Sequence, residues 1–375
     1  MANSTVNSGN VVTNFQRKVN RQYVREGKFG PFIGTTENAI IQSNRDLQKH
    51  SIPLVAKLSG NGVSGSSTMS GNEDVLSNFA YVLTPTHYRN AVLIDDEERE
   101  KSNFDLFQEA RPALMGWAME LKRDQIIQAM GAVAASGTYL NYGAASGANL
   151  DTWNAANTDR ILYGATKSNL TSGNHTTSLG TIDTTNDKLT ATRVSLLKRM
   201  AMSSSPLIRP VMIKGDDPWF VFFVDSFGFR DLSVDTTIIA NRQTALPRAK
   251  DNPLFAGGDI VHDGVIIKEV PDINKFIDGD STGSAYDGVW GANSTADSLL
   301  TSGSGATRVG VGFFCGAQAV GFVRGKDASF VRKKEDDYEF QSGVGIQMKH
   351  DIKKTFYNNK QHGMITCFYS AAIDS

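Results

Sequence analysis

The chain has 375 residues, 40% hydrophobic and 21% charged, with 38 Lys and Arg against 39 Asp and Glu. That length suffices for two or three packing units of a soluble globular protein, and the balanced charge excludes a chain drawn to polyanions or membranes by its net field. Two cysteines, Cys315 and Cys367, each inside an apolar run, exclude a disulfide framework or a thiolate metal site and read as buried thiols of a reducing compartment.

Locally the charge is less even. From Met1 to Gly30 there are five basic residues, Arg17, Lys18, Arg21, Arg25 and Lys28, against one acid, Glu26. In a polar, aperiodic segment, such an arm suits weak contact with nucleic acid or another subunit, and equally a solvated terminus. The opening "MANSTVNSGN" has neither a charged n-region nor an apolar h-region, and no window approaches the ~18 uninterrupted apolar residues of a bilayer span. The expected setting is a cytosol-like space, or something assembled there, with no membrane partner.

Residues 1 to about 50 show almost no periodicity. Short apolar runs come next, "IPLVAKL" before and "FAYVL" and "NAVLI" after the stretch Leu58 to Leu76, "LSGNGVSGSSTMSGNEDVL". Together they suit a long hairpin-like excursion. Gly60, Gly62 and Gly65 form a nominal G-x-G-x-x-G, but a pyrophosphate needs the N-terminus of a helix directly after the glycines. The residues in that place, Ser66 to Asn72, have no helical apolar period. A glycine-rich turn is the better reading. On this pattern about 95 residues pass without enough apolar material for a core. Ordering them costs about 1 to 2 kcal/mol each in backbone entropy, to be offset by burial against another chain.

The acid run "DDEERE" then leads into a long helix, in which Phe107, Ala110, Leu114, Trp117, Leu121, Ile127 and Met130 recur at three- to four-residue intervals. This is an amphipathic stripe. Ser102 with Asp105 resembles a capping box, and Pro112 predicts a kink or an entry segment. Trp117 reads as a core anchor rather than a ligand platform. Residues about 134 to 190, rich in Gly, Ser, Thr and Asn, predict extended loop. Beyond them "TATRVSLLKRMAM" predicts a helix, and "PWFVFFVD" and "DGVIIKEV" predict buried strands. After a second low-complexity insertion, strand-like runs fill Arg308 to Ser375: "RVGVGFFCGAQAVGFV", "YEFQSGVGIQMKH", "KKTFYN" and "GMITCFYSAA".

Signs of chemistry are sparse. Asp278, Asp280, Thr282 and Gly283 match the first half of a calcium loop, but the twelfth position is Val289 and not a bidentate Glu. Histidines 50, 87, 175, 262, 350 and 362 have no helical zinc spacing. No G-x-S-x-G elbow or Walker loop occurs. Asp259, His262 and Asp263 suggest an acid–base cluster less than a turn into a strand. Arg332 to Lys334 beside Glu335 to Asp337 read as a solvated charge run. The chain is therefore expected to be no enzyme and to hold no cofactor or metal.

The ordered series Leu58-Ser59-Gly60-x-Gly62-Val63-x-Gly65, Gly71-Asn72-Glu73-Asp74-x-Leu76, Arg89-x-Ala91-Val92 and Glu109-Ala110-Arg111 with Leu114, Trp117 and Asp124 resembles the major capsid proteins of tailed phages of the N-four type. "IRPVMIKGDDPWFVFFVDSFGFRDL", "NPLFAGG" and "DGVIIKE" are similar to their middle, and "GAQAVGF", "YEFQSGVGIQM", "IKKTF" and "HGMI" to their C-terminal strands. The likeness runs in order from about residue 53 to the end. Glu73-Asp74 departs from the two Glu more usual there, which keeps the charges and shortens one side chain.

The resemblance implies an α+β chain of the Hong Kong 97 capsid fold: an N-arm at 1–50 and an extended loop hairpin at 51–101 that lies over a neighbouring subunit. A peripheral domain with a long spine helix would occupy 102–190 and be completed by strands at 308–375, with an axial domain at 191–307. It further implies self-assembly through five- and six-membered rings into an icosahedral shell around double-stranded DNA, in a virion assembled in a bacterial cytoplasm. Gly60, Gly62, Gly65, Gly71, Asn72, Glu73 and Asp74 become candidates for hinge and inter-subunit contact, and Leu114, Trp117 and Leu121 for packing of the spine helix. Arg17, Lys18, Arg21, Arg25 and Lys28 become an interior basic arm that touches packaged DNA without sequence specificity. Portal and scaffolding proteins are expected partners, and a decoration protein is another candidate. An extracellular array or adhesin would share the Gly/Ser/Thr/Asn loops but calls for a secretion signal, and an α/β enzyme would share the central strands but calls for a convergent polar site.

Overall fold

The computed structural model describes residues 24–25, 27–46, 48–58, 60, 62–66, 68–102, 105–213, 217–245, 259–278, 308–336 and 341–371. It is a mixed α+β chain that divides into two compact units. The larger holds 27–86, 121–326 and 349–375, and the smaller holds 1–26, 87–120 and 327–348.

Two short strands open the larger unit, β1 (Ile33–Gly34) and β2 (Ile41–Arg45), followed by the antiparallel pair β3 (His50–Val55) and β4 (Asn78–Leu83). The expectation that about 95 residues pass without enough apolar material for a core is corrected for this beginning. Phe29, Phe32, Ile40 and Ile41 are buried, and both phenylalanine rings stand edge-on to Phe223, at 5.1 and 5.4 Å between centroids. Four anchors at irregular spacing leave no periodic trace, yet each is buried by a residue far away in sequence.

After β5 (Thr86–Asp95) comes α1 (Asp96–Lys101), which carries three acids in its first turn and basic Arg99 and Lys101 in its last, as a helix dipole favours. The long helix α2 spans Leu106–Gly131 and continues through Pro112. Its cap is a second correction. Ser102 closes α1, and it is the Asp105 carboxylate that accepts the Gln108 N–H at 3.3 Å. Asp at this position serves the orphan amides of the first turn.

The stretch from 134 to 190, expected as extended loop, is folded. It contains β6 (Val133–Ala135), β7 (Thr138–Leu140), α3 (Gly147–Ala156), β8 (Ile161–Tyr163) and α4 (His175–Gly180). Ser146 and Asn174 cap α3 and α4 through their side chains. Its core is aromatic and polar rather than aliphatic. His175 lies between the hydroxyls of Tyr142 (2.7 Å from Nε2) and Tyr163 (2.6 Å from Nδ1), and Asn154 donates to the Tyr163 hydroxyl at 2.9 Å. Trp153 and Phe368 close around the imidazole with centroids 5.8 and 5.5 Å away. Polar residues that serve one another in this way can be buried at little net cost. Composition alone cannot reveal it.

The expected helix α5 (Ala191–Ser203) and the expected strands, here β10 (Asp217–Val224) and β12 (Val265–Glu269), are present. Between and beyond them the fold adds β9 (Val211–Ile213), α6 (Ser226–Val234), α7 (Thr236–Ala245), β11 (Ile260–His262) and α8 (Ile273–Asp278). The C-terminal part adds β13 (Val309–Cys315), β14 (Val320–Asp336), β15 (Gln341–Lys354), β16 (Phe356–Tyr357), β17 (Lys360–Gln361) and β18 (Met364–Ser370). The main sheet of the larger unit runs β11-β12-β10-β13-β18-β8, with β9 paired to β10. Its central strands β13 and β18 are buried at every residue, which explains why they read as continuous apolar runs. Cys315 and Cys367 lie there as free buried thiols, the latter pushed up to about 12 by burial.

The smaller unit is built from β5, the first half of α2 and the distal halves of β14 and β15. Its buried apolar positions include Ile94, Ala110, Leu114, Ala118, Val344, Ile346 and Met348.

Between β11 and β12, Asp263 and Gly264 have φ of 48° and 73°, the two left-handed residues of a tight hairpin. Gly264→Ala should cost about 1 to 2 kcal/mol because a Cβ is disfavoured in this conformation. A urea melt of the variant measures it, and an unchanged midpoint would refute the strain.

Candidate functional site

The part of the larger unit least occupied with its own core is the β3–β4 hairpin and the loop it carries. The strands pair from His50↔Leu83 to Val55↔Asn78, and the ladder ends with Ala56 N–H donating to Ser77 C=O at 2.9 Å. Pro53 fits because β3 has a partner on one side alone. Every described residue from Lys57 to Ala80 is exposed, except for half-buried Val63. Among them Met69, Val75 and Leu76 show 75%, 87% and 61% of their surface.

This loop is tied together even so. The Asp74 carboxylate accepts the Gly60 N–H at 2.9 Å, which bridges the loop across fourteen positions, and Glu73 accepts the Gly71 N–H at 2.8 Å. Asn72 donates from its side chain to Thr68 C=O and from its backbone to Met69 C=O, both at 3.0 Å. The sequence Gly71-Asn72-Glu73-Asp74 is therefore a clasp. A Cβ on Gly60 would lie 2.2 Å from both Asp74 oxygens, so a larger residue there would push the carboxylate out of the clasp. Gly62 and Gly71 instead have open surroundings and φ of 66° and 89°, so backbone conformation selects them. Gly65 shares that conformation. Among the described residues from 62 to 77 no helix begins, so the nominal dinucleotide fingerprint has nothing to seat a pyrophosphate.

The other sequence candidates are dispersed. Leu114 and Leu121 of α2 are buried, and Trp117 is half-buried. Arg25 and Lys28 are exposed, and Arg17, Lys18 and Arg21 lie outside the described residues. Of the calcium-like loop Asp278 ends α8, and Asp280, Thr282, Gly283 and Val289 lie outside the described residues. "NPLFAGG" also lies outside them. Of Asp259, His262 and Asp263, the first pairs separately with Lys268, while Asp263 pairs with Lys198 at 2.9 Å and shares Ser195 with His262, whose Nε2 faces Ser195 Oγ at 3.3 Å. Among the described residues no group of three or more His, Cys, Asp or Glu could hold a metal ion, and no helix is long and apolar enough to cross a membrane.

Buried charges that sequence spacing did not single out carry structural duties. Asp225, at the N-terminus of α6, accepts the Tyr369 hydroxyl at 2.5 Å, the Gly228 N–H at 2.8 Å and Arg308 at 3.3 Å. Arg308 in turn lies 4.4 Å over the Phe227 ring and donates to Asn274 at 3.2 Å. Fully buried Lys354 donates to Ala132 C=O at 3.2 Å above the rings of Trp153 and Phe356, and burial lowers its ammonium to about 7. Asp225 could be noticed beforehand as a charge closing the apolar run "WFVFFV", but Lys354 lies in the charged stretch "KHDIKKTF", where nothing singles it out.

Comparison with known proteins fits this division between a self-satisfied core and an unsatisfied excursion. The family model described as phage capsid protein matches residues 3–373. A curated relative, the major capsid protein of Pseudomonas phage KPP25, is 25% identical over 359 residues, or 89% of each chain. Among solved structures, the cyanophage Pam1 capsid asymmetric unit matches with a TM-score of 0.86 and 33% identity over 100% of both chains. The capsid of Ralstonia phage GP4 matches with a TM-score of 0.71 over 100% of both chains, and at 16% identity it bears on the fold alone.

Proposed function

This chain belongs to the phage capsid protein family, and from that premise we propose how it works as the major capsid protein of a phage. Many copies associate into the icosahedral shell of the virion. The observation that carries the reading is the exposed, clasped hairpin loop: a chain with a complete core has no internal use for Met69, Val75 and Leu76 in solvent, whereas a second copy does.

The assignment of parts follows the Hong Kong 97 plan. Residues 1–50 are the N-arm and 51–101 the extended loop. Residues 102–190 and 308–375 are the peripheral domain around α2, packed through Leu114, Trp117 and Leu121, and 191–307 are the axial domain. Contacts of one copy with a different surface of the next close rings of five and six, and those rings close a shell. The basic arm from Arg17 to Lys28 faces packaged double-stranded DNA and meets it through phosphate charge alone. A portal and a scaffolding protein complete the head, with assembly in the host bacterial cytoplasm. The chain performs no catalysis in this role. It serves by geometry.

Gly62, Gly65 and Gly71 let the loop take slightly different angles in rings of five and six. Gly62→Val should leave the far-UV circular dichroism of the chain unchanged and turn closed shells into open or aggregated particles. Normal shells from this variant would remove the hinge role. The reading as a whole is tested by negative-stain microscopy and sedimentation of the purified wild-type chain with its scaffold. Closed shells or five- and six-fold rings are expected, and a strictly monomeric species would overturn it.

A further inference from the structure

We propose that one face of the long helix α2 seats an acidic amphipathic helix of the scaffolding protein. Within the smaller unit this helix exposes Gln108, Arg111, Met115 and Met119, and the two methionines show 41% and 37% of their surface. At about 100° of turn per residue, these four fall in a stripe roughly 80° wide. Ala110, Leu114 and Ala118 make the buried side of the same helix. Among the described residues no other helix has two exposed large apolar residues one turn apart.

The spacing selects a helix as the partner. Positions 111, 115 and 119 form a row at every fourth residue, about 12 Å long, and such a row is the ridge that packs into the groove of a second helix. A loop offers no groove of that kind, and among the described residues from 62 to 77 no helix begins. The glycine-rich loop therefore does not match the row. Methionine suits a contact with a different chain, because its unbranched, polarizable side chain repacks against whatever surface arrives.

The charge selects an acidic one. Arg111 opens the row, and the chain passes over α2 at Gly116, where a Cβ would lie 3.2 Å from Val24 Cγ2. Arg25 follows directly, and both arginines are exposed. Glu109 and Glu120 lie about 120° or more round the helix from the centre of the row, beyond Gly116. A basic end on an apolar row fits a helix with apolar anchors three and four residues apart and acids beside them. A second copy's α2 carries the same arginines and cannot complement them, and DNA would leave the methionines in water. The inference rests on the capsid reading and adds to it the place where the scaffold grips the shell protein.

The test puts the photo-reactive residue p-benzoylphenylalanine in place of Met119, and in place of exposed Met202 of α5 as a control, in chains assembled with the scaffolding protein. Irradiated particles should give a covalent product of chain and scaffold from position 119 and none from position 202. Met115→Glu combined with Met119→Glu should leave the melting temperature of the unassembled chain unchanged, because both sites are exposed. The same double variant should lower the scaffold content and the yield of closed particles by about tenfold or more. Normal yield and scaffold content from the double variant would overturn α2 as the scaffold's seat and leave the capsid reading intact. So would a product at position 119 made of two copies of the chain or of chain and DNA, or no product there. A wild-type chain that never closes a particle would remove the capsid reading, and this inference with it.

Discussion

Asp225→Ala should destabilise the larger unit by about 3 to 5 kcal/mol, because it leaves the Arg308 guanidinium buried without its carboxylate. Three further losses act at the same point. The Tyr369 hydroxyl loses its acceptor, the first turn of α6 loses the cap on Gly228, and a void opens beside the ring of Tyr369. Compensation is blocked sterically, since Gly228 and Gly310 already touch that ring so closely that a Cβ on either would lie 2.6 or 2.4 Å from it. For a protein with about 5 to 15 kcal/mol in total, the loss is a large share. It should lower the melting temperature by on the order of 10 °C. Asp225→Asn, which preserves the shape and can still accept from Tyr369, should fall between the variant and the wild type. A calorimetric scan of all three chains decides the matter, and equal melting temperatures would show that the Asp225–Arg308 pair contributes no net stability.

The second large effect is loss of stability in mild acid. Burial lowers His175 to about 3, and lowers His350 and His362 to about 4, the last two with help from Lys122 and Arg160. In the unfolded chain each returns to about 6.5. The folded-state value lies below the unfolded one, so between roughly pH 6.5 and 4 the unfolded chain binds protons that the folded chain refuses. Stability must fall as pH falls through this window, by about 1.4 kcal/mol per pH unit for each histidine. Three histidines give about 4 kcal/mol per pH unit at the steepest point. Asp124, Asp225 and Asp259, held above the usual carboxylate range chiefly by burial, act with the opposite sign and make the slope shallower. Just above pH 7 Lys354 dominates: its folded value of about 7 lies below its unfolded one, so stability still rises with pH there. Above about pH 8 the thiols of Cys315 and Cys367, raised by burial, act with the opposite sign as their unfolded counterparts ionise, and the rise levels off. Urea unfolding of the unassembled chain from pH 8.5 to 4.5 should therefore show a shallow slope that steepens about threefold below pH 6.5. A constant slope throughout would mean that these imidazoles are protonated in the folded chain.

His175 is the centre of that prediction and also the clearest case of what is hidden in the sequence. Its neighbours Tyr142, Trp153, Tyr163 and Phe368 come from four separated places in the chain. None belongs to a periodic pattern, and the Ser, Thr and Asn between them make the segment read as loop. The same reason conceals Phe29 and Phe32 against Phe223. The β3–β4 excursion, by contrast, is legible because its exposure is a property of composition: glycine, serine and asparagine with few anchors are the same facts in the chain and in the fold. The clasp is half legible. Gly71-Asn72-Glu73-Asp74 stands out as a motif, but that Asp74 reaches back to Gly60 depends on how the loop folds over itself.

By itself, then, the sequence determined the helix from Leu106 to Gly131, the strands of the "PWFVFFVD", "DGVIIKEV" and "GMITCFYSAA" runs, the tight turn at Asp263-Gly264 and the glycine-rich excursion. In each of these a local period, an unbroken apolar run or a conformational demand on one or two residues is enough. The tertiary structure alone decided that residues 134 to 190 are folded around a buried centre, that Asp225 holds Arg308 and that burial among aromatic rings lowers the Lys354 ammonium to about 7. These are pairings across long stretches of chain. Their energies come from desolvation and from the satisfaction of one group by another, and neither exists until the two groups meet.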